Sequence, residues 1–221
     1  MVVKLLDWDK HEIKMYAVTN YEKTKRIRSV DKEPETVAWL ESLPQGTYFD
    51  VGANVGAYSL IADKLGHRVY SFEPHPPTFR RLQENIWLNE SEVIAFNTLL
   101  DAENGCVVFE HSSEEIGSAL HQIKREAMGE KTRAYRLDSF AHTYGLPQAD
   151  YLKIDTDGAE LDVLLGATEV LRGVRSILCE MDYDAFPQME LIAALLTDAG
   201  FHEESRHPHG TSTIENRIFS R

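Results

Sequence analysis

The chain has 221 residues, with 23 Lys and Arg against 36 Asp and Glu, a formal charge of −13. That length suits a single large core without disulfide or metal staples. The charge repels phosphate backbones and argues against a nucleic-acid partner, and no apolar run approaches the length of a membrane span. Met1-Val2-Val3 is apolar, but Lys4 and Asp7 end the run, so no signal peptide is expected. Cys106 and Cys179 both sit in apolar, β-prone runs. Two buried, reduced thiols are the expectation, which points to a cytoplasmic protein.

Residues 1 to about 32 are charged and aromatic, with Lys4-Leu5-Leu6 and the run from Ile13 to Val18 as candidate strands of an N-terminal hairpin or arm. The basic cluster Lys23-Thr24-Lys25-Arg26-Ile27-Arg28 reads as a solvated edge ahead of a docking patch. Pro34 belongs in the first turn of a helix running to about Leu43, with Glu33 and Glu35 suited to its N-terminus. The expected organisation is an arm and helix over residues 1–46, packed on a domain of residues 47–221.

The next stretch carries the strongest signal. Tyr48-Phe49-Asp50-Val51 predicts a strand, Gly52-Ala53-Asn54-Val55-Gly56 a tight turn, and residues 57–65 a helix stopped by Gly66. Arg68 to Phe72 predicts a second strand, ending in Glu73-Pro74. Strand, glycine turn, helix, strand and acid make the first βαβ unit of a doubly wound sheet, with a ligand crevice at its strand ends. A dinucleotide binder calls for G-x-G-x-x-G, so that pyrophosphate sits at a helix N-terminus. Here Ala53 and Asn54 stand between the glycines, and Asp50 would repel a pyrophosphate. The acid suits a cationic ligand such as S-adenosylmethionine, with Glu73 accepting hydrogen bonds from the ribose hydroxyls. The alternative is a turn needed for backbone geometry alone, with Asp50 capping the helix.

Beyond Glu73, residues 78–88 predict a helix burying Phe79, Leu82, Ile86 and Trp87, with Asn85 and Asn89 as structural residues. Val93 to Phe96 is the third strand; Leu100 and Asp101 beyond it are candidates to lie against an adenine ring, or a plain turn. Gly105 to Glu110 and Arg133 to Arg136 look like an added pair of strands, and the polar residues 111–132 between them like a lid or binding loop. Asp138 is read as a helix N-cap. A fourth strand, Tyr151 to Asp155, leads through Asp157-Gly158 to a helix starting at about Ala159, whose Gly166 allows a close approach. A fifth strand covers 176–180, a helix 191–199, and an antiparallel pair 201–205 and 216–220. The fold class is α/β: a Rossmann-like, doubly wound, seven-stranded sheet, mostly parallel with one antiparallel strand near the C-terminus.

Phe49-Asp50-Val51-Gly52-Ala53-Asn54-Val55-Gly56, Phe72-Glu73-Pro74 and Leu152-Lys153-Ile154-Asp155-Thr156-Asp157-Gly158-Ala159-Glu160 together resemble a class I S-adenosylmethionine-dependent methyltransferase of the FkbM family, from about Thr47 to Glu180. Asp157 stands where that family often has Glu. The resemblance implies methyl transfer to a hydroxyl oxygen of a sugar or small secondary metabolite. It implies that Asp50, Gly52, Asn54, Gly56 and Glu73 hold the cofactor, and that Asp155 sits near the methyl group.

An alcohol acceptor has to lose its proton, so a base is expected: Asp155 first, Glu160 second, both at the fourth-strand turn. Lys153 alternates onto the same face as Asp155, and an ion pair is the plain reading. Asp155, Glu180 and Asp182, at neighbouring strand tips, offer the oxygen ligands that suit Mg²⁺, although three acids in so acidic a chain also arise by coincidence. Two other functions stay open: a nicotinamide (NAD-dependent) oxidoreductase on the same sheet, and a catalytically silent cofactor-binding module. The acceptor's identity and the oligomeric state are not legible in the chain.

Overall fold

The computed structural model of the chain describes residues 2–110, 115–118, 122–124, 129–209 and 212–221, with backbone alone at 122, 124 and 186. Seven strands form a mostly parallel sheet. Its chain divides into two compact units, one of residues 1–97 with 113–119 and one of 98–112 with 120–221.

In the first unit, β1 (Val3–Leu5) and β2 (Lys14–Tyr16) pair antiparallel as the expected N-terminal hairpin. Short helices α1 (Asn20–Thr24) and α2 (Ser29–Lys32) follow, and α3 (Pro34–Ser42) begins on its proline as its sequence predicts. Then come β3 (Thr47–Val51), α4 (Ala57–Lys64), β4 (Arg68–Phe72), α5 (Pro76–Leu88) and β5 (Ile94–Phe96). β3 pairs with β4 and β4 with β5, all parallel. Four consecutive residues of β3 and four of β4 are buried, the signature of strands covered on both faces.

Helix α5 buries Thr78, Arg81, Leu82 and Asn85, a stripe at i, i+3, i+4 and i+7. Trp87 falls off that stripe and is 77% exposed, contrary to the buried position expected for it. Asn85 and Asn89 are structural: Asn85 accepts from Tyr16 N at 2.9 Å and donates to Val55 O at 2.9 Å, while Asn89 bonds both backbone groups of Lys14. They hold the hairpin on α5.

The second unit opens with β6 (Leu99–Leu100), β7 (Gly105–Glu110), β8 (Gln122–Lys124) and β9 (Lys131–Tyr135), a sheet of four strands in the order β6-β9-β7-β8. The expected added pair is there as β7 and β9, enlarged by two strands too short to show periodicity. Leu99, Val107 and Ala134 form its small core, with Phe109 and Ile123 against it. Residues 111–114, 119–121 and 125–128 of the expected lid lie outside the described residues.

There follow α6 (Leu137–Tyr144), β10 (Tyr151–Ile154), α7 (Glu160–Leu165), β11 (Ser176–Asp182), α8 (Phe186–Asp198), β12 (His202–Pro208) and β13 (Ile214–Ser220). β10 and β11 are parallel, and β13 runs antiparallel to both β11 and β12, so the reversed strand lies near the C-terminus as expected. Two local expectations are corrected. Asp138 is inside α6 rather than its N-cap: it accepts from Glu169 N at 3.0 Å and Val170 N at 2.9 Å, and so caps the 3-10 turn Val170–Arg172. Cys106 is exposed near the start of β7, while Cys179 is buried in β11; both are free thiols. Among the described residues, no helix is long and apolar enough to cross a membrane.

Candidate active site

The glycine turn of the first unit is closed upon itself. Gly52 and Gly56 have φ of +81° and +92°, and Asn54 sits at +49°, a left-handed conformation that Asn tolerates better than most residues. Every N–H of the turn has an internal acceptor: Gly52 and Ala53 donate to Phe72 O, Asn54 to Glu73 Oε2, Val55 to Asn54 Oδ1 and Gly56 to Ala53 O, all within 2.9–3.1 Å. At Gly56 an added Cβ would stand 2.4 Å from Leu82 Cδ1, so this glycine is required by both conformation and packing.

Glu73 follows the last residue of β4 and is 4% exposed. Its Oε2 accepts from Asn54 N at 2.9 Å and its Oε1 from His75 N at 2.8 Å. Two backbone donors thus orient the carboxylate. Asp50 is deeper, 1% exposed; its Oδ2 accepts from Ser59 Oγ at 2.5 Å, and Ser71 Oγ donates to Ser59 Oγ at 2.8 Å. These serines carry no sequence spacing that announces them; β3, α4 and β4 bring them under the turn. Asp50 therefore ties β3 to α4 through Ser59, inside that helix, and does not cap it; the cap position is Gly56.

The described part of the polar segment lies over this turn. Asn54 Nδ2 donates to Ser118 O at 2.9 Å, Thr78 Oγ1 accepts from Gly117 N at 3.2 Å, and Thr19 Oγ1 donates to Ile116 O at 2.9 Å. Residues 115–118 are a strap between the turn, α5 and the N-terminal arm.

In the second unit, Asp155 and Glu160 stand at the two ends of the turn between β10 and α7. Lys153, 1% exposed, is paired with Asp155 Oδ2 at 2.7 Å, the ion pair expected from their alternation. Glu160 is the first residue of α7 and is 5% exposed. Its Oε1 accepts from Thr156 N, Thr156 Oγ1 and Gly158 N, each at 3.0 Å. Burial raises the Glu160 carboxyl above the ordinary carboxylate range, against the lowering effect of those donors. Asp157 and Gly158, with φ of +56° and +111°, shape this turn, and Gln188 Nε2 donates to Gly158 O at 3.1 Å from α8.

A cleft of about 90 Å³ opens here, with Glu160, Glu180 and Asp182 on its polar side and Met189, Ile192 and Ile214 on its apolar side. Burial pushes the Cys179 thiol well up, with the charges of Glu160 and Glu180 adding to it, so no nucleophilic thiolate is available there. The donor atoms of Asp155, Glu180 and Asp182 do not converge as a metal-ligand set among the described residues. Asp101 follows β6 and is 1% exposed. It is held by Asp101 N to Tyr135 O at 2.9 Å and Ala102 N to its Oδ1 at 2.7 Å. Gly166 packs against the carbonyl of Asp101, beyond the end of β6, where a Cβ would fall 2.2 Å from the oxygen; its close neighbour is thus a loop backbone and not a sheet strand as expected.

Comparison with known proteins agrees with this architecture. A hexuronic acid methyltransferase of Haloferax volcanii is 29% identical over 192 residues, covering 86% of this chain and 78% of that protein. A 2-O-methyltransferase of Sinorhizobium fredii is 26% identical over 208 residues, covering 84% of each. The structure of a magnesium protoporphyrin IX methyltransferase from Synechocystis superposes with a TM-score of 0.54 at 14% identity, covering 91% of this chain and 83% of that one; at that identity it speaks to the fold alone. The methyltransferase FkbM domain matches residues 50–203, and the chain belongs to the FkbM methyltransferase family.

Proposed function

We propose that the protein is an S-adenosylmethionine-dependent O-methyltransferase acting on a hydroxyl of a sugar or a small secondary metabolite. The observation that carries this reading is the glycine turn with all its N–H groups committed internally and a buried, oriented carboxylate at its edge. A pyrophosphate needs free N–H donors, and this turn has none to give. A ribose with two hydroxyls to donate suits Glu73, and a sulfonium suits the negative charge of Asp50. The donor set thus fits the cofactor's chemistry better than that of a nicotinamide dinucleotide. Gly52, Asn54 and Gly56 shape the turn that receives it, and Asp101 is assigned to the adenine.

When bound, the cofactor supplies a methyl group already activated as a sulfonium, with a thioether as its leaving group. What the chain adds is position and a base. Glu160 is the better base of the two candidates. Asp155 is engaged by the Lys153 ammonium, whereas Glu160 has one oxygen anchored by three donors and lines the cleft. Its raised basicity suits removal of a proton from an alcohol as the methyl transfers. Met189, Ile192 and Ile214 form a wall that keeps water from the reacting oxygen. The relatives named for a hexuronic acid and for 2-O-methylation support a sugar hydroxyl as acceptor; the acids of the cleft favour one without a carboxylate of its own.

Thermal melting with S-adenosylhomocysteine and with NADH tests the cofactor. The homocysteine compound should raise the midpoint and NADH leave it unchanged; the opposite pattern means an oxidoreductase. Labelled methyl transfer to sugars, nucleotide sugars and polyketide alcohols then tests the reaction, and binding with no transfer to any of them means a silent binding module.

A further inference from the structure

We propose that Arg26 receives the carboxylate at the methionine end of the cofactor, an assignment that rests on the S-adenosylmethionine reading above. That cofactor carries an α-carboxylate as well as its cationic groups, and a carboxylate taken from water needs a charge-assisted donor. The glycine turn has no N–H left for it: all five, from Gly52 to Gly56, are bonded within the protein. The acids Asp50 and Glu73 repel it.

Arg26 stands beside that turn. Its Nε donates to Gly117 O at 2.8 Å, and Gly117 lies between it and the turn: a Cβ there would be 3.4 Å from Arg26 Cγ and 3.7 Å from Val55 Cγ1. The strap bearing Gly117 is itself bonded to the Asn54 side chain. Among the described residues, the two terminal nitrogens of Arg26 have no hydrogen-bond acceptor and no ion-pair partner, although 36 of the 221 residues are acids. The neighbouring guanidiniums are engaged: Arg28 by Asp31, and Arg81 by Glu22 and Glu84. Lys23 and Lys25 are exposed. Arg26 is half-buried, so its charge is partly desolvated, and the carbonyl of Gly117 at Nε is a neutral acceptor; an incoming carboxylate gains most in that condition. One bond through Nε fixes the plane of the fork and leaves its far edge for a bidentate anion.

The test compares two thioethers by calorimetric titration: S-adenosylhomocysteine, and S-adenosyl-3-thiopropylamine, which is the same molecule without the carboxylate. The wild-type protein should prefer the first by about tenfold or more, the range for a hydrogen bond to a charged group. Arg26→Gln should weaken S-adenosylhomocysteine by a similar factor and leave the thiopropylamine unchanged, so that the preference vanishes. Arg26→Lys should restore part of it, and Lys23→Gln, which removes an exposed charge from the same cluster, should change neither affinity. Equal weakening of both ligands by Arg26→Gln overturns the assignment and makes Arg26 a tether for the strap. A preference that survives in Arg26→Gln overturns it too, since the carboxylate then has another receiver. Wild-type protein that binds neither compound overturns the cofactor reading itself, and a preference lost equally in Lys23→Gln replaces the contact with a diffuse field effect.

Discussion

Glu160 combines two properties that pull against each other. Its carboxylate is buried, which raises its proton affinity, and it is held by donors that favour the ionised form. The folded state therefore holds the Glu160 proton to higher pH than the unfolded chain does. Its contribution to stability is present below the ordinary Glu value and is lost as pH rises through the raised folded value. Glu160→Gln removes that loss while Gln Oε1 still accepts from Thr156 and Gly158. The variant should melt higher than wild type at neutral pH and about the same in acid, yet lose roughly 10²–10⁴-fold in kcat. In wild type the acid limb of kcat should fall at a pH above the ordinary carboxylate range, and in the variant that limb should flatten. A variant as active as wild type gives the base to Asp155. Gly56 makes a purely structural counterpart: Gly56→Ala combines φ of +92° with a clash at Leu82, and should lower stability by roughly 2 kcal/mol or more, read by urea denaturation.

At the scale of elements, the arm that precedes the sheet is held by charge. Glu22 in α1 is fully buried, closes a capping box with Thr19, and pairs with Arg81 of α5; Arg81 also lies over the Tyr16 ring of β2. Removing one member of a buried pair strands the other. Glu22→Ala should cost about 3 kcal/mol, lessened because Arg81 retains Glu84. Protease should then cut the arm before the sheet; simultaneous loss of arm and sheet would mean that the arm is part of the cooperative core. None of this pair was visible in the chain, because Glu22 and Arg81 are 59 positions apart and follow no local pattern. What was legible followed from periodicity and turn chemistry: β3, β4 and β10 as apolar runs, α3 starting on Pro34, and the glycine turn with its acid. Two-residue β6 and three-residue β8 are too short to carry a period. Asp138 looked like a cap for the helix that contains it because N-capping is a local rule, whereas its partners Glu169 and Val170 arrive from α7's far side by tertiary packing. Arg26 was masked by composition, since a run of basic residues normally solvates an edge.

For the whole molecule the governing quantity is its charge of −13. Asp157, Glu180 and Asp182 line the cleft beside the proposed base Glu160, and among the described residues no Lys or Arg lines it. Field lines in such a cleft add to the general negative potential, so an acceptor that brings its own carboxylate meets repulsion at long range and at the base itself. Ionising Glu160 beside a bound anion is a further penalty, because like charges disfavour the charged form. A carboxylated sugar and its neutral amide, otherwise the same acceptor, should therefore differ in KM by about tenfold at 0.01 M salt, where the Debye length is about 30 Å. By 1 M salt, with that length near 3 Å, most of the long-range difference should disappear, while the residual gap reports contact within the cleft. Asp182→Asn, at the half-buried end of β11, should narrow the gap at low salt without moving the KM of the amide. Equal KM values for the two acceptors at low salt would mean that the hydroxyl reaches Glu160 by a route that avoids these acids.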